Sequence, residues 1–187
     1  MGNFYVNYTI HSKDNSGVVN ALNNRNAYVT QCKNDSIVVF DEASDSQDPD
    51  LIRSLGKQLS KALNTAVLAV LNHDDDILWY VLFDKGDSID EYDSSPGYFD
   101  PDSEPQNPSG GNAEKLCAAF NCHDVQEIER VLRKSSYDED GYTFAVERHE
   151  ELAKALNLPD FSVGFGYTYI AQGELPPGLA ESELTKV

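Results

Sequence analysis

The sequence predicts an α+β protein in which a ferredoxin-like antiparallel sheet is extended by a β-hairpin and followed by a mainly helical C-terminal part. Residues 66–71 and 77–83 form two apolar runs on either side of a polar turn, and short runs bounded by turn residues are typical of strands. The elements up to the first of these runs follow the order strand, helix, strand, strand, helix, strand. After a segment rich in proline and glycine at 94–112, apolar residues recur at helical spacing.

The N-terminal elements are predicted from alternation and capping. Residues 3–10 alternate apolar with polar or mixed side chains, which indicates a strand with one buried face. Ser16 can cap a short helix at 18–25. Turn residues then join two further strands, which we predict at 26–31 and 36–40.

The second helix has the clearest start in the chain. Asp48 can accept hydrogen bonds from the free amide groups of a first turn, Pro49 suits the first helical position, and Asp50 complements the helix dipole. Leucine and isoleucine then recur at helical spacing as far as Asn64. This pattern predicts a helix with one apolar stripe against the sheet.

The centre of the sheet is predicted around the two apolar runs. A strand at 65–71 follows the second helix, and the run at 77–83 continues through a turn at 84–87 into a strand at 88–92. Neither apolar run alternates with polar residues. We therefore expect both to be covered on both faces.

The C-terminal half is predicted to be helical with one aromatic strand. Helices are expected at 113–121, 124–134 and 143–157, while aromatic residues alternate with glycine and polar residues over 161–169, as in a strand. The prediction thus divides the chain into a ferredoxin-like unit with its hairpin at 1–93, a Pro/Gly-rich loop at 94–112, a helical part with an aromatic strand at 113–172, and a loose tail at 173–187.

The chain is strongly acidic, with 14 Lys and Arg against 32 Asp and Glu and a formal net charge of −18. A surface of this sign repels phosphate backbones and anionic lipid, so we predict neither nucleic-acid nor membrane binding. The partner such a field attracts is a basic protein. The alternative is that the charge serves solubility alone.

Location and cysteine chemistry are predicted from what the sequence lacks. It has no secretory signal and no apolar run long enough to span a membrane, and its three cysteines are too few for a disulfide framework. A cytoplasmic setting follows. Cys117 and Cys122-His123 lack a second ligand pair at zinc spacing, so we expect buried, inert thiols.

The densest group of possible ligands lies between the two apolar runs. Carboxylates there can hold a divalent cation, most directly through Asp74 and Asp76, and a neighbouring imidazole can act as a base. A polar turn that prevents aggregation of two apolar strands explains the same residues. As binding candidates we take this turn and the aromatic pair of the following loop, namely His73, Asp74, Asp75, Asp76, Tyr98 and Phe99.

Residues 136–147 partly match a calcium-binding EF-hand loop. Asp138, Asp140 and Glu147 occupy ligand positions, but Ser136 replaces the first carboxylate. The start of a helix explains the segment more simply. Within that helix, Arg148 and its neighbours are expected to form a solvated face.

Three stretches give the chain its family resemblance: LNHDDDILWYVLFDKGDSIDEYDSSPGYFD, GGNAEKLCAAF and FAVERHEELAKALNLP. With these, it resembles a group of small acidic bacterial proteins with no assigned activity. The resemblance covers nearly the whole length. It implies a bacterial cytoplasmic protein and transfers no catalytic residue, ligand or cofactor.

The sequence favours a non-catalytic protein-binding or regulatory module. No phosphate-binding glycine loop, GxSxG or HExxH motif is present, so no cofactor is predicted. The alternative is a metal-dependent hydrolase that uses the Asp74–Asp76 cluster with acids from 84–104. A third hypothesis is that a small molecule binds between the sheet and the C-terminal helices.

Overall fold

A computed structural model describes residues 2–104 and 106–187 of the chain. In these ranges the protein is α+β, with an eight-stranded antiparallel sheet and six α-helices. None of the described helices is both long and apolar enough to cross a membrane.

Six strands and two helices make up the first half of the chain, and helices dominate the second half. In chain order they are β1 (Phe4–Ile10), α1 (Asn15–Ala21), β2 (Ala27–Thr30), β3 (Ile37–Asp41), α2 (Pro49–Leu63), β4 (Ala66–His73), β5 (Ile77–Asp84), β6 (Asp87–Asp93), β7 (Ser109–Gly110), α3 (Ala113–Phe120), α4 (Val125–Arg133), α5 (Ala145–Ala155), α6 (Tyr167–Ala171) and β8 (Leu184–Lys186). The strand order in the sheet is β7-β6-β5-β4-β1-β3-β2-β8.

Helices cover both faces of the sheet, which explains why β4 and β5 are apolar at successive positions. On one face, Val67 and Ala69 of β4 pack in a core with residues of α1 and α2. On the other face, Leu68 and Val70 pack in a core with residues of α3, α4 and α5. The expectation that both apolar runs are covered on two faces is therefore confirmed.

Helix starts are set by side-chain caps. Asp48 accepts a hydrogen bond from Asp50 N at 2.8 Å at the start of α2, as predicted. Helix α1 begins earlier than expected, because Asp14 rather than Ser16 is its N-cap and accepts from Gly17 N at 2.9 Å.

The predicted aromatic strand at 161–169 is wrong. A 3-10 turn at Asp160–Ser162 and helix α6 occupy this stretch instead, and Gly164 between them has a φ of 81°, outside the extended region. Phe161 and Tyr167 pack with Phe40 of β3 in a small third core. The alternating aromatics thus anchor a compact turn.

The predicted loose tail at 173–187 is also wrong. Strand β8 pairs antiparallel with β2, and Leu179 is buried before it. Without β8, the outer edge of β2 would leave backbone donors and acceptors unpaired. The chain end is therefore part of the sheet.

The expectation of inert thiols at Cys117 and Cys122 is wrong, because the two residues form a disulfide. Helix α3 ends at Phe120, and Asn121, with a φ of 54°, reverses the chain so that Cys122 N donates to Cys117 O at 3.0 Å. In a helix that continued through Cys122, a five-residue separation would hold the two sulfur atoms too far apart for this bond. The cysteine argument for a cytoplasmic setting no longer holds.

Candidate functional site

The acidic turn joins β4 to β5 through a tight hairpin. Asp74 and Asp75 have φ angles of 52° and 61°, and Asp76 N donates to His73 O at 3.0 Å. Positive φ at both central residues is typical of a type I′ turn, and Asp tolerates this region better than most residues. This geometry sends the three carboxylates in different directions.

Each carboxylate of the turn has its own partners. Asp74 is exposed and accepts from the Gly2 amide at 3.0 Å. Asp76, also exposed, accepts from the Tyr98 hydroxyl at 2.7 Å.

Asp75 is the buried member of the turn. Its carboxylate accepts from Asn3 N at 3.1 Å, Asn3 Nδ2 at 3.3 Å and Asn72 Nδ2 at 3.2 Å. Its backbone oxygen accepts from Ala145 N at 2.6 Å, which ties the turn to the start of α5. Asp75 therefore fixes the turn between β1 and α5.

The metal hypothesis named Asp74 and Asp76 as ligands. Within 2–104 and 106–187, no group of three or more His, Cys, Asp or Glu side chains is arranged to hold a metal ion. In the structure, the two residues serve as acceptors for Gly2 and Tyr98 instead.

An open groove of about 690 Å³ lies beside this turn, and we call it the aromatic groove. It runs between the start of α2, the β4–β5 pair and the loop after β6. Its lining is Ser46, Gln47, Pro49, Arg53, Leu71, His73, Ile77, Trp79, Asp93, Ser95, Gly97, Tyr98, Phe99 and Asp100. The structure thus brings together His73, Tyr98 and Phe99, three of the six binding candidates.

His73 lines the aromatic groove, and a hydrogen bond to Gln47 fixes the orientation of its ring. The Gln47 amide donates from Nε2 to Asn72 O at 2.8 Å, so its Oε1 faces His73 Nδ1 at 2.6 Å. This network assigns the ring proton to Nδ1, which donates to Gln47 Oε1. The imidazole is therefore held in one orientation with Nε2 as its remaining acceptor.

Aromatic rings pack edge-to-face around His73. The centroid of its ring lies 4.9 Å from that of Phe4, 5.0 Å from Phe99 and 6.2 Å from Tyr98. Phe99 is nevertheless 72% exposed. Such a large exposed ring on an ordered aromatic base is typical of a contact surface.

A guanidinium group already lies on one wall of the groove. The Arg53 guanidinium is 4.8 Å from the centroid of Trp79 and pairs with Glu91 at 2.5 Å. The Trp79 indole N–H donates to the same Glu91 oxygen at 2.9 Å. This wall therefore combines a π-face and a carboxylate, the environment that binds a guanidinium.

Asp93 adds a partly buried acid to the groove. Its carboxylate accepts from Ser95 N at 2.8 Å, and burial raises its pKa. Asp100 lies in the same lining. The positive charge of a cation in the groove would offset the free-energy cost of burying the ionised Asp93 carboxylate.

The EF-hand-like segment acts as a helix start. The Glu147 carboxylate accepts from Thr143 N and Phe144 N, both at 3.0 Å, and so caps α5. Asp138 accepts from Ser135 N at 2.9 Å. These contacts agree with the simpler reading of 136–147 as the opening of α5.

The prediction of a solvated face at Arg148 is wrong, because Arg148 and His149 are each 1% exposed. Both lie in the core beneath the sheet. His149 Nδ1 is 2.7 Å from the Tyr5 hydroxyl, and burial lowers the pKa of the imidazole to about 3. Their spacing from the buried residues Ala145 and Leu152 places them on the apolar stripe of α5, a signal that was present in the sequence.

Two residues that line the groove, Trp79 and Arg53, are not among the binding candidates that the sequence predicts. Trp79 lies in the apolar run at 77–83, for which the sequence indicates only a core position; it is buried and also lines the groove. Arg53 lies outside the apolar stripe of α2, so the sequence indicates only a solvent-facing side chain. No sequence signal places it over Trp79, since the contact joins residues 26 positions apart across a helix and a strand.

Comparison with known proteins gives no relative. No protein-family model matches the chain, and no significant match was found among curated proteins or solved structures. The site is therefore interpreted from its own geometry.

Proposed function

We propose that this protein is a non-catalytic binding module that takes a basic segment of a protein partner in the aromatic groove. The observation that carries the proposal is the Phe99 ring, 72% exposed at the edge of an ordered aromatic cluster in an open groove of about 690 Å³. A module of this kind needs no catalytic group, only a stable surface of defined shape and charge.

The groove offers both kinds of contact that a basic segment uses. The rings of His73, Tyr98 and Phe99 provide apolar surface and π-faces, and Asp93 and Asp100 provide carboxylates. The stacking of Arg53 on Trp79 beside Glu91 is an internal example of the same recognition. The net charge of −18 supports a basic partner and disfavours nucleic acid and anionic lipid as ligands.

The same proposal includes a ferredoxin-like arrangement for the unit from β1 to β4. The antiparallel neighbour order β4-β1-β3-β2 supports it, as does the placement of α1 and α2 in one core on one face. A bacterial, cytoplasmic setting remains part of this proposal through the resemblance alone.

Trp79 allows a direct test because it is the single tryptophan of the chain and lines the groove. Trp79 emission would be followed during titration with short peptides that carry Arg and Lys beside Leu or Phe. Saturable quenching or a spectral shift is expected, and it should weaken as salt rises. Peptides with Glu in place of the basic residues should leave the emission unchanged.

Phe99→Ala is expected to weaken the peptide response at least about tenfold, the loss typical of a central aromatic contact. Phe144→Ala is the matched control, since Phe144 is 51% exposed and lies outside the groove. If both peptide sets bind equally, or if Phe99→Ala and Phe144→Ala bind alike, the groove is not the binding surface.

A further inference from the structure

A second, smaller pocket of about 210 Å³ lies on the other side of the acidic turn. Arg148 of α5 forms part of its wall, together with Ser94, Ser95, Ser136 and Thr143. The Arg148 side chain is 1% exposed. This is a buried guanidinium beside a small polar space, and the binding module proposed above makes no use of it.

The groups around Arg148 do not neutralise its charge. Nη1 donates to Val131 O at 2.7 Å, and the guanidinium lies 4.5 Å from the Tyr142 ring centroid and 5.9 Å from that of Tyr92. Nη2 has no hydrogen-bond partner within the described residues. Arg148 also forms no salt bridge with any of the residues that the structure describes.

The nearest acid on the same helix is already engaged. The Glu151 carboxylate accepts from Arg130 and from the Tyr142 hydroxyl, both at 2.6 Å. Arginine does not lose its proton in proteins, so burial without an anion leaves a net cost. Consistent with this, desolvation lowers the pKa of Arg148.

We propose that this pocket binds a small molecule through an oxyanion group, a carboxylate or a phosphate, that pairs with the Arg148 guanidinium. The Arg148 guanidinium, whose Nη2 has no partner among the described residues, can form a charge-assisted hydrogen bond with such a group. The Ser94 hydroxyl accepts from Leu78 N at 2.8 Å, so its own proton is available to the ligand. The volume suits a short carboxylic acid or inorganic phosphate and excludes a nucleotide.

Two acids also line the pocket and shape its selectivity. Asp75 is satisfied by the donors of Asn3 and Asn72, and Asp76 by Tyr98. Their charges still repel an anion in proportion to its charge. A monoanion such as acetate is therefore expected to bind more tightly than the phosphate dianion.

The test is thermal unfolding of the full chain in acetate and in inorganic phosphate, each against chloride at equal ionic strength. Acetate is expected to stabilise the wild type in a saturable way. A tenfold excess over Kd raises the folded-to-unfolded ratio about elevenfold. Arg148→Met is expected to fold and to lose the acetate response, while Lys57→Met, which removes an exposed charge on α2, keeps it.

The Arg148 Nε–H resonance of the wild type gives a second measurement that does not depend on folding of the variant. It should shift with acetate along the same saturation curve as the stability. Saturation with phosphate alone would identify a phosphate group as the ligand chemistry. No response to either anion beyond chloride, or an equal response in Arg148→Met, would overturn the proposal.

Discussion

The aromatic groove and the Arg148 pocket lie on opposite sides of one hairpin turn, and they handle charge in opposite ways. In the groove, the Arg53 cation is half-buried and paired with Glu91. In the pocket, the Arg148 cation is buried and forms no ion pair with a carboxylate of the described residues. An open groove with paired charges suits a large partner, whereas an unpaired buried charge demands a specific small ion.

The two sites also share a border. Ser95 and Tyr98 line both, and Asp76 holds Tyr98 between them. The loop after β6 thus contributes to both binding surfaces. Substitutions on either side of this border separate structural from binding roles.

The largest expected effect comes from the buried acid of the turn. Asp75→Ala should lower the free energy of unfolding by about 3 kcal/mol, because the buried Asn72 amide and the partly buried donors of Asn3 would be left without their acceptor. Urea denaturation measures this change.

Asp74→Ala is the matched control for the backbone effect of placing alanine in this turn. Both residues have positive φ, so alanine brings a similar conformational penalty at each position. The difference between the two variants reports the side-chain contacts. Equal losses would show that the Asp75 network does not hold the turn.

His149 is expected to make stability depend on pH. Its pKa is lowered to about 3 in the folded protein from an ordinary value near 6.5, so the unfolded chain binds a proton that the folded chain does not. Stability is therefore complete above pH 6.5 and falls as the pH decreases. Between pH 8 and pH 5.5 the loss should be about 1.4 kcal/mol.

Denaturant unfolding at several pH values checks this, and His149→Gln should remove the dependence in that range. His123→Gln is the matched control, since His123 is exposed and should leave the slope unchanged. Asp45 and Asp93, whose pKa values are raised by burial, act in the opposite direction, since the folded chain then holds a proton more tightly than the unfolded chain. A flat profile in the wild type would contradict the buried neutral imidazole.

Arg53→Met should have a smaller effect on stability. It removes a cation–π contact and a half-exposed ion pair, which together contribute about 1 kcal/mol or less. The same change should alter Trp79 emission in the absence of any ligand. Unchanged emission would show that the guanidinium does not rest on the indole in solution.

The smallest expected stability change is at the most exposed ring. Phe99→Ala should shift the free energy of unfolding by no more than about 0.5 kcal/mol, because the side chain is 72% exposed. Thermal unfolding beside Phe144→Ala measures it. A large loss would mean that Phe99 serves the fold rather than binding.

Part of the groove is predictable from the sequence. His73 is a candidate because it lies at a strand end, and Tyr98 and Phe99 are candidates because they interrupt a loop that is otherwise polar. For Trp79 the sequence indicates only a core position, since an apolar strand gives no sign of which residue borders a groove. Arg148 was misplaced although its helical spacing from Leu152 was visible, because a charged residue is rarely placed in a core.

The sequence by itself determined the double-sided strands β4 and β5 and the start of α2, because apolar periodicity and capping act over a few residues. Tertiary structure decided the rest. Pairing of β8 with β2, the turn that joins Cys117 to Cys122, and the burial of Arg148 each depend on surfaces supplied by other segments. Such contacts form only when the chain closes around its sheet. No local pattern encodes the β8–β2 pairing or the Cys117–Cys122 turn, and for Arg148 the local pattern gives the helix face but not the surface that covers it.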